Sequence, residues 1–327
     1  MGDVAMTVPV LLKVAAEHPD VKLTMISRQL YKPIFDSIPN LNFLAFDAKG
    51  KHKGFFGLLR FTAVLRKSNI DAFADLHNVL RSKVIGQLLK LYGIKVAVFD
   101  KARAQKKALT RAENKTFEPL PSVFKRHAMV FAELGVPIDL SQPRFLKPLV
   151  PDDQIRPLAG VEKQLIGIAP FAQHEGKIYP FDLMQQVVDN LANEYILLLF
   201  GSKAEAETLH QLARSRSNIE VVAGKYSFEQ ELELISNLEV MLSMDSANAH
   251  IAAMFGVKVI TLWGATHPYT GFMPYNQPLE NAIVSDRKKY PKLPTSIYGN
   301  KKVAGYQDAM RTISPEMVVA KVKEVIA

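Results

Sequence analysis

Eight short runs of β-branched and apolar residues alternate with longer amphipathic segments along the chain, and no other feature constrains the fold as strongly. Residues 21–26, 71–76, 95–99, 165–169, 195–200, 219–222, 240–243 and 257–262 read as strands. Their near-continuous Val, Ile and Leu content suits a parallel sheet covered on both faces. Segments 4–18, 55–68, 79–92, 124–134, 181–193, 203–215, 228–237 and 246–255 carry apolar residues at helical spacing. Repeated strand–helix alternation predicts doubly wound α/β structure.

At 327 residues the chain is long enough for two such domains. Pro143, Pro148, Pro151 and Pro157, with Gly160 just beyond, mark a joint near residue 155. The expected domains are residues 1–155 and 156–327, facing a cleft. A last helix over 314–327, with Ser314 as N-cap and Pro315 at the first helical position, is expected to pack back on the first domain. Met1-Gly2-Asp3-Val4 begins directly in what reads as a strand-to-helix turn, so the first domain is expected to lack its leading strand.

The chain contains no cysteine, which removes thiol catalysis, zinc-thiolate sites and iron–sulfur clusters. No segment approaches the roughly 20 apolar residues that span a bilayer, and no signal-peptide pattern is present, so the expected location is the cytoplasm. Charge is unevenly distributed. Residues 1–150 hold 24 Lys+Arg against 12 Asp+Glu, whereas residues 151–327 hold 17 against 20. The densest basic run, residues 101–126, reads either as a solvated loop or as a landing site for an anionic ligand or membrane surface. Only Phe117 and Phe124 interrupt it, so nucleic acid is not an expected partner.

Three strand-to-helix turns could carry chemistry. Asp245-Ser246-Ala247-Asn248-Ala249-His250 opens a helix whose first amides are free to meet a phosphate, and a second strand ends nearby in Trp263-Gly264. Gln173-His174-Glu175-Gly176-Lys177 follows the first strand of the second half and presents a lysine. Gly201-Ser202-Lys203-Ala204-Glu205 places an acid where a ribose hydroxyl is commonly bound, although such a Glu is also favoured by the helix dipole. Neither Gly-x-Gly-x-x-Gly nor a P-loop occurs, and no spacing requires a metal.

In order, Gly2-Asp3-Val4, Asp75-Leu76-His77 with Arg81-Ser82, Lys177-Ile178-Tyr179-Pro180, Phe200-Gly201, Asp245-Ser246 with His250, and Trp263-Gly264-Ala265-Thr266-His267-Pro268 resemble the family 9 glycosyltransferases, the heptosyltransferase-like enzymes of lipopolysaccharide core assembly. The resemblance implies a GT-B fold of two Rossmann-like domains, the first binding acceptor and the second nucleotide-sugar. It further implies an inverting transfer without metal or cofactor, of heptose from ADP-heptose onto an anionic, lipid-linked acceptor, with peripheral contact at the inner face of the inner membrane. Asp3 matches the general base and Lys177 the cation that neutralises the departing diphosphate. Gln173, Gly201, Glu205, Asp245, Ser246, Ala247 and His250 fall in the donor-binding set, and Arg81, Lys106, Lys107 and Arg111 would meet the acceptor's negative charges. Ser246-Ala247 stands where the family usually has Thr-Gly. Two other readings compete: a degenerate transferase that binds polyanions, and a GT-B-like nucleotide-sugar epimerase.

Overall fold

A computed structural model describes residues 1–159 and 164–327. Gly160, counted above in the interdomain joint, lies outside the described residues. The chain divides into two compact units. The first holds residues 3–102 and 121–146, with Met1; the second holds 103–120 and 147–327, with Gly2. The division therefore falls after Leu146, and residues 103–120 belong to the second unit although they lie within the basic half of the sequence.

The first unit opens with a single turn, α1 (Gly2–Ala5), and helix α2 (Val8–Glu17). The helix expected over 4–18 is thus interrupted. The Thr7 hydroxyl donates to the Val4 carbonyl at 2.7 Å and closes the first turn, and Pro9 sits in the first turn of the second helix, where it sacrifices no hydrogen bond. Strands β1 (Leu23–Ser27) and β2 (Leu41–Ala45) follow, then α3 (Gly54–Lys67), β3 (Ala72–Asp75), α4 (Leu80–Leu91) and β4 (Lys95–Val98). β1 pairs in parallel with β2, and β3 with β4, as two separate two-stranded ladders. Leu58, Phe61 and Leu65 of α3 meet Ile85 and Leu89 of α4 in a small core, each residue contributing on the order of 1.5–3 kcal/mol by its removal from water. After α5 (Arg103–Thr110), which belongs to the other unit, α6 (Val123–Glu133) returns to pack on α2, β3 and β4.

The second unit continues with α7 (Arg156–Ala159), β5 (Leu165–Ala169), α8 (Phe181–Leu191), β6 (Ile196–Leu199), α9 (Ala206–Ala213), β7 (Ile219–Val221), α10 (Phe228–Ser236), β8 (Val240–Met244), α11 (Ala247–Met254), β9 (Lys258–Trp263), β10 (Ala282–Val284) and α12 (Pro315–Ile326). Its six strands form one parallel sheet in the order β10-β9-β8-β5-β6-β7. From β5 the chain winds outward to β6 and β7, then returns to place β8 on the other side of β5. The carboxyl ends of β5 and β8 therefore flank a topological switch point, the position at which open α/β sheets leave a crevice. All residues of both strands are buried, as a sheet covered on two faces requires. Within the second unit α12 lies against α8, β8 and β9, and the Tyr179 hydroxyl donates to the Ile313 carbonyl at 2.7 Å beside it. No described helix is long and apolar enough to cross a membrane.

Candidate active site

The switch point brings together two of the three sequence segments. Ala169 at the end of β5 is paired with Ser243 near the end of β8, so the loops that follow leave the sheet side by side. Lys177 comes from the first loop and Asp245 from the second, and their side chains meet: Lys177 Nζ lies 2.7 Å from Asp245 Oδ2. The same ammonium donates to the Asp245 backbone oxygen at 3.1 Å. Their side chains are only 15% and 5% exposed, so each charge would be costly to bury without the other. The Thr266 hydroxyl, just beyond β9, donates to Asp245 Oδ2 at 3.0 Å. The sequence gives Thr266 no role of its own; only the adjacency of β8 and β9 shows what it touches.

Two glycines let the backbone close around this pair. Gly299 has φ +77°, and a Cβ there would sit 2.6 Å from Lys177 Cγ, so the loop can pass over the lysine stem only without a side chain. Gly176 accepts from the Ala265 amide through its carbonyl at 2.8 Å, and the Ala265 carbonyl accepts from the amides of Thr295 and Ser296. The Ser296 hydroxyl oxygen accepts from the Gly299 amide at 3.0 Å. This 295–300 loop was absent from the sequence-based candidates, since nothing in its composition marks it as a wall of the site.

Ser246 is the N-cap position of α11; its hydroxyl lies 3.0 Å from that of Ser243, and Ala247 begins the helix. His250 is buried one turn into α11. Glu205 caps its own turn. Its Oε2 accepts from the Ser202 amide at 2.7 Å and the Ser202 hydroxyl at 2.8 Å, a capping arrangement that engages one carboxylate oxygen with its own turn. Gly201 faces that same Oε2, and Gln173 is solvent-exposed ahead of the Lys177 turn.

In the first unit, Asp3 is exposed and its carboxylate is 3.9 Å from the His77 ring. His77 is set by Asp75 at the end of β3, whose Oδ1 accepts from the amides of His77 and Asn78 at 3.1 and 2.7 Å. His127 on α6 is buried, and burial pushes its pKa down to about 4.

The basic run 101–126 is part helix and part loop, with some of its cations buried and others exposed. Residues 103–110 form helix α5, and Lys106 is buried with its ammonium 4.4 Å from the Phe272 ring centre. Lys115 donates to the carbonyls of Leu109, Lys292 and Pro294 at 3.0, 2.8 and 2.6 Å. Burial, and secondarily Arg287, lower its pKa to about 8, while the three carbonyls still favour the protonated form at neutral pH. Arg287 stacks on Phe117, which also contacts His267 and Tyr269. These contacts hold 103–120 against its own unit, and two of the expected solvated cations are enclosed. Lys107 and Arg111 remain exposed there, as does Arg81 on α4 of the first unit.

The sequence profile of glycosyltransferase family 9 (heptosyltransferase) matches residues 58–302, well over half of the chain. The chain is similar to lipopolysaccharide heptosyltransferase 3 of Escherichia coli, at 26% identity over 81% of each chain. It is similar in fold to the family 9 glycosyltransferase of Veillonella parvula, with a TM-score of 0.74 at 18% identity over 100% of this chain and 94% of that one. A second structural relative is E. coli heptosyltransferase WaaC with ADP-2-deoxy-2-fluoro heptose, with a TM-score of 0.67 at 17% identity over 99% and 96%. With a GT-B architecture and a lysine–aspartate pair at the switch point of its six-stranded sheet, the chain belongs to glycosyltransferase family 9, the heptosyltransferase family.

Proposed function

We propose that the protein transfers heptose from ADP-heptose onto an anionic acceptor of the lipopolysaccharide core, with the second unit binding donor and the first binding acceptor. The observation that carries this reading is the nearly buried Lys177–Asp245–Thr266 cluster beside the α11 start, within a family 9 chain. The Asp3 carboxylate takes the proton from the acceptor hydroxyl. The oxygen then attacks the anomeric carbon, and the bond from that carbon to the diphosphate oxygen breaks with inversion. Both electrons leave with ADP, and the growing charge on the diphosphate meets the Lys177 ammonium and the first amides of α11. In this reading Lys177 supplies the positive charge and no metal is needed. Asp245 and Ser246 hold the donor sugar, with Gln173, Gly201, Ala247 and His250 around it. Glu205 meets the ribose through the carboxylate oxygen that does not cap its turn. Arg81, Lys107 and Arg111 meet acceptor charges, whereas Lys106, expected with them, is buried against Phe272. The reaction takes place at the cytoplasmic face of the inner membrane. Neither the polyanion-binding nor the epimerase reading is favoured beside these relatives.

The test is ADP release from ADP-heptose with a Kdo–lipid A-type acceptor. We expect turnover by the wild type, none without acceptor, and loss of at least about a hundredfold in Asp3→Ala with donor binding retained. Equal turnover by Asp3→Ala would remove Asp3 from the reaction, and donor consumption without acceptor would favour the epimerase.

A further inference from the structure

Part of the basic charge of the 101–126 run is buried, at Lys106 and Arg126, and a separate exposed group of cations stands on the loop between β2 and α3. Residues 47–60 contain Lys49, Lys51, Lys53 and Arg60 against a single acid, Asp47. All four cations are exposed, and none has an ion-pair partner among the described residues. Next to them stand Phe55 and Phe56, 58% and 77% exposed, their rings 6.1 Å apart. Two adjacent solvent-facing phenylalanines bordered by cations are not what a purely solvated loop requires.

The loop has a defined internal structure. The Asp47 carboxylate accepts from the amides of Lys49, Gly50 and Lys51 at 3.2, 2.8 and 3.1 Å, so its charge is directed into the backbone. Those bonds, led by the one from Lys51, keep its pKa below the usual carboxylate range. His52 Nδ1 accepts from the Asp47 amide at 2.9 Å, and the ring is stacked on Phe46 and lies against Phe61 of α3. Gly57 lies so close to the His52 backbone that a Cβ there would be 2.5 Å from its carbonyl carbon. The loop is thus pinned to the core by His52, and Phe55 and Phe56 are presented by the first turn of α3 with the lysines beside them. Little conformational entropy remains to be lost when this surface meets a partner.

We propose that loop 47–56 and the first turn of α3 are a membrane-docking surface, in which Phe55 and Phe56 enter the headgroup–acyl boundary of an anionic phospholipid bilayer. Lys49, Lys51, Lys53 and Arg60 meet its lipid phosphates. Aromatic residues suit that boundary, and each cation near an anionic leaflet adds attraction that salt screens. The inference goes beyond the transfer reaction and needs neither substrate to be tested.

The experiment is sedimentation of the full chain with vesicles of mixed phosphatidylglycerol and phosphatidylcholine, or of phosphatidylcholine alone, without donor or acceptor. Wild type should bind the anionic vesicles, release at high salt and leave neutral ones in solution. Phe55→Ser/Phe56→Ser and Lys49→Gln/Lys51→Gln/Lys53→Gln should each weaken partitioning by about tenfold or more, with unchanged circular dichroism. Lys107→Gln/Arg111→Gln should bind as wild type does. Because the one native tryptophan, Trp263, is fully buried, Phe56→Trp reports insertion directly through a blue shift on anionic vesicles. Absence of wild-type binding, equal binding by the loop variants, or no spectral shift in Phe56→Trp would each overturn the proposal. An intact transfer reaction in any of these cases would show that the docking surface alone had failed.

Discussion

Asp245 holds the Lys177 ammonium through two different atoms, its Oδ2 at 2.7 Å and its own backbone oxygen at 3.1 Å. Removing either side chain leaves a nearly buried charge without its partner. Asp245→Asn and Lys177→Met should each destabilise the second unit by about 3 kcal/mol. The double variant should lose less than the sum, because the unpaired charge disappears. Strictly additive losses in denaturant titrations would refute the coupling.

The same pair bears on donor affinity. In the absence of donor the Lys177 ammonium is committed to Asp245, so an ADP diphosphate must share it or draw it away. Lys177→Met should weaken ADP binding by about 1.5–3 kcal/mol, the range for hydrogen bonds to charged groups. Calorimetry giving equal affinity for the variant and the wild type would remove Lys177 from the diphosphate site.

Acid should destabilise both units, each through one histidine. Burial lowers the folded-state pKa of His127 to about 4 and, with help from Arg287 and Lys115, that of His267 to about 4. The unfolded chain takes up these protons near pH 6.5, before the folded chain can. Stability is therefore fully present above that pH and falls as pH drops toward 4. Each histidine accounts for roughly 2 kcal/mol between pH 7 and 5. His127→Phe should flatten the dependence of the first unit alone, as followed by hydrogen exchange on α6. An unchanged slope would place the acid sensitivity elsewhere.

Lys115 ties three carbonyls together, two of them 177 and 179 residues away in sequence. Lys115→Met leaves all three without that donor and should cost about 1–3 kcal/mol. Trypsin should then cleave faster after the exposed Arg111, because segment 103–120 loses its main polar attachment to residues 292–294. Cleavage at the wild-type rate would mean that the aromatic contacts of Phe117 suffice.

Strands of the second unit were legible because burial on both faces demands continuous apolar runs, and 165–169 was read to the residue. β2 and β10 were missed: the first has only partly buried and exposed residues, and the second is three residues long. α5 was missed because Arg103-Ala-Gln-Lys-Lys107 reads as solvated charge, whereas Lys106 is covered by Phe272. Lys177 and Asp245 were legible as candidates because each follows a buried strand. Their contact was not, since 68 residues separate them and only the order of β5 and β8 makes them neighbours.

The sequence by itself determined the α/β class, the family and which residues end the strands of the six-stranded sheet, because periodicity and strand-end chemistry are local. Tertiary structure decided which charges are free. Lysines at 106 and 115 carry the same formal charge as those at 49, 51 and 53, but the first pair is enclosed by rings and carbonyls supplied from far along the chain. The other three are exposed, and the nearby Asp47 directs its carboxylate into the loop's own backbone rather than to them. Net charge is a property of composition, whereas its availability to a partner depends on burial and pairing, which only the folded chain settles.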